Sequence, residues 1–243
     1  MNVFSGTIDQ CYEQLILALL KTDVDAIGTR ELENVILDIQ NPQLHDFSLP
    51  FRHISKTYAN AELKWYWSAD NSCKTIGQHA KMWLRISDDH ETSNSAYGYI
   101  LQRKHGKDQI QEVIELLKKD KWSRKAVLSL TDPMLDKQTT KDFQCTIALH
   151  VLIRNDSLHL TVYMRSNDVY FGLPYDYIYF TSIGQYIADK LNVKFTNYKH
   201  VVTSMHMYER DTLKFVNLLH EQEPERLSID AKAIIKENYD ESY

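Results

Sequence analysis

Residues 143–154 and 157–165 read as two strands around the turn Asn155-Asp156. No other feature constrains the fold as much. An antiparallel pair commits this part of the chain to a sheet and can fold Arg165 back toward Cys145, twenty residues earlier. Helical spacing of Ile8, Tyr12, Leu15, Ile16, Leu19 and Leu20 predicts an amphipathic helix over 7–21. Further helices are expected at 59–68, 107–120, 175–191 and 209–221, and further strands at 33–39, 125–131 and 197–207. Pro174 is a natural first helical residue for 175–191. Residues 40–58 read as loop, and the charged tail from 222 to 243 as irregular. The sum is an α+β chain, 1–243, expected to form one domain with its strands concentrated in the second half.

Composition excludes several classes. Apolar residues make up 43% and no run approaches the roughly 18 residues of a membrane span, so no membrane association is expected. The net charge of −5 argues against a nucleic-acid partner, which favours a basic excess. Cys11, Cys73 and Cys145 are an odd set without a CxxC, which argues against disulfides and a metal site and for a reducing compartment. The start, MNVFSGTIDQ, has no signal-peptide pattern.

The stretch RSNDVYFGLPYDY, 165–177, places Asp176 between two tyrosines. A charge in such a run needs a partner. Arg165-Ser166 offers a guanidinium fork and a hydroxyl suited to phosphate, and Arg124-Lys125 is a second cationic pair. Either pair alone is more often a solvated face. A lone Cys145 is by default a structural thiol; as a nucleophile it needs nearby cations. Glu62, flanked by aromatics, is by default a solvent-facing helix residue and otherwise a general acid/base. His206 and Tyr208 alternate along a strand and point the same way, either as core polar groups or as donors to a sugar.

Taken together these pieces resemble the thymidylate synthase family. The resemblance rests on Cys145 placed twenty residues before Arg165-Ser166-Asn167-Asp168, on Gly172-Leu173-Pro174, and on His206-Met207-Tyr208. Upstream it includes Glu62-Leu63-Lys64-Trp65, Trp83, Tyr97-Gly98 and Ser123-Arg124-Lys125, so it runs in order from about 58 to 211. Asp176 stands where the family normally carries Asn, and this resembles the deoxycytidylate hydroxymethylase branch. Cys145-Thr146, Met164 before Arg165, and Asn94-Ser95-Ala96-Tyr97-Gly98 lean the same way.

The resemblance implies the thymidylate synthase fold, a mixed β-sheet flanked by helices, and a homodimer joined through the sheet. It implies 5,10-methylenetetrahydrofolate as cofactor, with Trp83 and Asp168 binding it, and dCMP as substrate. Cys145 would add to C6 of the pyrimidine and Glu62 would organise water and proton transfers. Arg165 and Ser166 would hold the phosphate, joined by Arg124 and Lys125 of the second subunit. His206 and Tyr208 would hold the sugar, with Asp168 and Tyr97 supporting the site. An amide satisfies uracil, whereas a carboxylate fits the cytosine N4 amino group and a protonated N3. Alternatives are a C5 methylase or hydroxymethylase of another pyrimidine nucleotide (CMP, dUMP), and a catalytically silent nucleotide- or RNA-binding relative. A cytoplasmic location is expected, in a bacterial host if the gene is a phage's. Lys125 replaces the second Arg of the family's phosphate pair, and the amino-terminal phosphate Arg is a position that Arg30 could fill.

Overall fold

Thr7 and Gln10 form a capping box that starts helix α1 (Ile8–Leu19). The helix buries the face carrying Ile8, Tyr12, Leu15, Ile16 and Leu19, as its spacing predicts. The computed structural model describes residues 1–42, 45–47, 54–218, 227–228 and 230–239. Six strands form one mixed sheet. They are β1 (Asn2–Gly6), β2 (Thr29–Gln40), β4 (Val127–Ser129), β5 (Thr146–Arg154), β6 (Ser157–Asp168) and β7 (Lys194–Tyr208), in the order β1-β2-β7-β6-β5-β4. β1 runs parallel to β2 and β6 parallel to β7; the other pairs are antiparallel. A second, two-stranded pair joins β3 (His45–Phe47) to β8 (Leu227–Ser228).

Helix α7 (Leu173–Leu191) is buried on nearly every side and packs on β6 and β7. Trp67 Nε1 of helix α2 (Lys56–Trp67) donates to Ser182 of α7 at 2.9 Å. Tyr12 of α1 donates to the Val169 carbonyl at 2.8 Å and so ties α1 to the β6–α7 connection. The short helices α3 (Cys73–Gly77), α4 (Met82–Ile86) and α5 (Tyr97–Tyr99) follow α2, and α5 runs into a π-helical turn, Ile100–Lys104. Helix α6 (Gln109–Lys119), capped by Asp108, matches the predicted second amphipathic helix. Helix α8 (Glu209–Leu218) follows β7 directly. No helix among the described residues is long and apolar enough to cross a membrane.

Four expectations need correction. β2 is longer than 33–39: it runs from Thr29 to Gln40 and pairs in one unbroken register with β7 across Asn34, which takes a positive φ of 54°. β5 starts at Thr146, which puts Cys145 just ahead of the strand rather than within it. The 40–58 segment holds β3 and the first turn of α2, started by the Ser55 side chain. The tail is not irregular throughout, for helix α9 (Ala231–Asn238) docks on α2. There Tyr239, 1% exposed, donates to Asp108 at 2.8 Å and packs edge-on against Trp67. The expected helix end at 219–221 lies outside the described residues.

Candidate active site

The β5–β6 pair brings Arg165 back to Cys145. The Arg165 amide donates to the Cys145 carbonyl at 2.9 Å, and its Nη2 lies 3.6 Å from Cys145 Sγ. The same guanidinium donates to the carbonyls of Gln144 (3.0 Å) and Phe143 (2.8 Å). This use of the carbonyls explains why the strand begins only at Thr146. Burial pushes the Cys145 thiol up, Arg165 pulls it down, and Asp176, Asp142 and Asp168 push it up again. In the free protein the group is therefore a thiol with one cation beside it.

Glu62 is not solvent-facing; it is 7% exposed on α2. Tyr58, one turn earlier, donates to Glu62 Oε1 at 2.5 Å, and Trp83 Nε1 donates to the Tyr58 hydroxyl at 2.9 Å. Burial raises the Glu62 carboxyl to about 8, against the Tyr58 hydrogen bond that lowers it, and Asp176 adds to the rise. Tyr97, on α5, accepts from the Thr146 amide at 3.3 Å and stacks on Tyr66 and Phe180. Gly98 makes that approach possible, since a Cβ there would lie 1.6 Å from the Tyr66 carbonyl oxygen.

Asp176 sits in the first turn of α7 and is half-buried. Burial lifts its carboxyl to about 7. It has a partner inside the chain, for Asn167 Nδ2 donates to its Oδ2 at 2.7 Å. His200 meets Asn167 Oδ1 at 2.9 Å, and Tyr198 meets His200 Nδ1 at 2.7 Å. The sequence reading missed Tyr58, Asn167, His200 and Tyr198. Only Tyr58 left a local signal, four residues before Glu62.

Asp168 Oδ1 accepts from the amides of Tyr170 (2.7 Å) and Phe171 (3.3 Å), yet burial still raises its carboxyl. His206 lies opposite Asp168 across β6 and β7, and its Nδ1 is 3.4 Å from Ser166 Oγ. Tyr208 meets His206 edge-on at 5.3 Å. Arg124 and Lys125 are exposed ahead of β4. The Arg124 carbonyl meets His150, five residues beyond Cys145 on β5, which is roughly 16 Å at the rise of a strand. One chain therefore does not bring Arg124 and Lys125 to its own Cys145. Arg30 points away to Glu209 (3.0 Å) and to the carbonyls of Leu20 and Thr22, so it is not held toward the Cys145 site.

The thymidylate synthase family model matches residues 21–241. A deoxyuridylate hydroxymethyltransferase of Bacillus phage SP01 is 28% identical over 230 residues, covering 87% of this chain. The match spans only 60% of that relative's own length. The deoxycytidylate 5-hydroxymethyltransferase of Enterobacteria phage T4 is 29% identical over 194 residues, covering 77% of this chain and 76% of the relative. Among solved structures, the thermostable thymidylate synthase A from Bacillus subtilis superposes with a TM-score of 0.75 at 19% identity. That likeness covers 91% of this chain and 86% of the other, and it concerns the fold. The family model spans nearly the whole length, and the chain belongs to the thymidylate synthase family.

Proposed function

We propose that this protein transfers a one-carbon unit from 5,10-methylenetetrahydrofolate to C5 of dCMP with addition of water, giving 5-hydroxymethyl-dCMP. The observation that carries this reading is Asp176, an acid facing both Glu62 and Cys145 from the first turn of α7. A carboxylate accepts from the cytosine N4 amino group and from a protonated N3, whereas against uracil it sets acceptor against O4. Mismatched polar groups in a desolvated site reject the wrong base strongly.

Cys145 acts as the nucleophile. Its thiolate adds to C6 and displaces electron density toward C5, with Arg165 at 3.6 Å favouring the charged sulfur. Glu62, with its carboxyl near 8, is poised to hold or release a proton around neutrality and so to activate the water that ends at C5. Arg165 and Ser166 grip the phosphate; His206 and Tyr208 hold the sugar, with Tyr97 and Asp168 behind them.

The donor set fits a folate. Asp168 offers an acceptor beside the rings of Tyr170 and Phe171, the latter 48% exposed, which suits a flat heterocycle bearing N–H donors. Trp83 offers ring surface only, since its indole N–H is committed to Tyr58. When bound, the cofactor supplies carbon at the methylene oxidation level. The active form is a homodimer. Val127, Ile147 and Tyr163 leave apolar surface exposed on the β4–β5–β6 part of the sheet, and Arg124 and Lys125 reach a phosphate site only in a second copy. Mixing inactive Arg124→Ala with inactive Cys145→Ala protein should restore activity; no restoration would remove the shared site.

A second reading, hydroxymethylation of dUMP, is favoured by one observation. An Asp176 carboxyl that keeps its proton up to about 7 could donate to uracil O4. Release of C5 tritium from dCMP, dUMP and CMP, with the product identified by mass, separates these readings. Exchange with dUMP alone overturns the dCMP assignment, and exchange with none favours a silent relative. Asp176→Asn should move the preference toward dUMP.

A further inference from the structure

Tyr198, His200, Asn167 and Asp176 form an unbroken hydrogen-bonded line from the centre of the sheet to the first turn of α7, with links of 2.7, 2.9 and 2.7 Å. The line has two self-consistent directions. In one, the Tyr198 hydroxyl donates to His200 Nδ1, His200 Nε2 donates to Asn167 Oδ1, and the Asn167 amide donates to Asp176 Oδ2, which accepts in either charge state and more strongly when ionised. In the other, a protonated Asp176 donates to a flipped amide, the imidazole carries its proton on Nδ1, and Tyr198 must accept. Tyr198 decides between them. It is 0% exposed, and among the described residues His200 is the one hydrogen-bond partner of its hydroxyl. If Tyr198 accepted, its own O–H would be buried with no acceptor, which folded proteins avoid. His200 is also 0% exposed, and burial drives its pKa down to about 3, so it is neutral and can serve as this one-way link.

We infer that Tyr198, His200 and Asn167 are positioning residues that fix Asp176 as a hydrogen-bond acceptor and thereby set the choice of cytosine over uracil. This rests on Asp176 reading the base, as proposed above. The ionisable groups facing Asp176 are Glu62 and Tyr66 on α2, Tyr97 on α5, Cys145 ahead of β5 and Asp168 on β6, with Tyr198 and His200 on β7 behind Asn167. No lysine or arginine is among them, so the Asn167 amide is the group that favours the anion. The fold keeps room for it, because a Cβ at Gly172 would lie 2.7 Å from Asn167 Nδ2. An ionised Asp176 accepts twice and suits cytosine. A protonated one donates once and accepts once, as an amide does, and suits uracil. Base preference is therefore tied to proton occupancy, and the line lowers that occupancy against the burial that raises it.

The test is the ratio of dCMP to dUMP kcat/KM, followed across the neutral pH range. For the wild type the ratio should climb with pH as Asp176 ionises. Asn167→Ala should displace that climb upward by a pH unit or more, with about a tenfold lower ratio at neutrality. Tyr198→Phe loses one oxygen far from the base, keeps the fold, and should displace the climb in the same direction by less. It decides the matter if Asn167→Ala does not fold. Asp176→Asn should favour dUMP at every pH. If Asp176→Asn changes the preference while Tyr198→Phe and Asn167→Ala leave the climb at its wild-type pH, the inference is overturned and the substrate reading stands. If Asp176→Asn leaves the preference unchanged, it is the substrate reading that fails.

Discussion

Two neighbouring carboxyl groups, Glu62 buried and Asp176 half-buried, are held by different chemistry. Glu62 is held from α2 by a phenol, which is held in turn by the indole of Trp83. Asp176 is held from the sheet by an amide, which is held by a neutral imidazole. Both carboxyls are raised by burial, to about 8 and about 7. A phenol hydroxyl both gives and accepts hydrogen bonds and can rotate as its neighbour changes charge; an amide neither takes up nor releases a proton near neutrality. The same burial thus yields one acid suited to moving protons and another suited to recognising a pattern of donors.

Removing the Cys145 sulfur should have the largest effect. Cys145→Ala is expected to lower kcat by on the order of 10⁴-fold or more with nucleotide affinity little changed, as read by turnover and calorimetry. Retained turnover would take Cys145 out of the mechanism. Next, Glu62→Gln should lower kcat by roughly 10²–10⁴-fold without altering the preference between dCMP and dUMP. A changed preference would erase the distinction between the two carboxyls. Tyr58→Phe removes a hydrogen bond to a charged group, about 1.5–3 kcal/mol. The Glu62 limb of the pH–rate profile should then move up by one to two units, and an unmoved limb would show that Tyr58 does not tune it.

The smallest effect concerns stability. The folded carboxyls, at about 7 and about 8, bind protons that their unfolded counterparts, at 3.8 and 4.5, have already lost. Between those limits the folded state carries the extra protons, so stability falls as pH rises. Asp176→Asn should flatten the lower part of that decline and Glu62→Gln the upper part, measured as urea midpoints against pH. Identical slopes in all three proteins would mean that neither carboxyl is desolvated.

The parts of this design legible in the sequence are those set by local pattern. The 143–165 strand pair, helices α1, α6 and α7, and the approach of Arg165 to Cys145 follow from periodicity, a turn dipeptide and a fixed spacing. What depends on strands meeting from distant parts of the chain was not legible. Asn167 pairs with Met205 and His200 with Val162 only through the parallel register of β6 and β7, which no local signal fixes. The acid at 176 was visible as an anomaly, but its partner inside the chain was not. Helix α9 was hidden by its charge, since its contact with α2 rests on a few residues such as Ile235 and Tyr239.

The pairing of β2 with β7 also has a consequence for how the chain is made. Arg30 and Glu209, bonded at the end of that pairing, are 179 residues apart. A growing polypeptide therefore presents the β2 edge to its surroundings for most of its synthesis, until β7 emerges to cover it. Unpaired edges of this kind recruit other chains. The exposed Glu31 and Glu33 put charge along this edge, and Asn34 departs from extended backbone at a φ of 54°. Charge placed along the strand thus guards the nascent chain against aggregation.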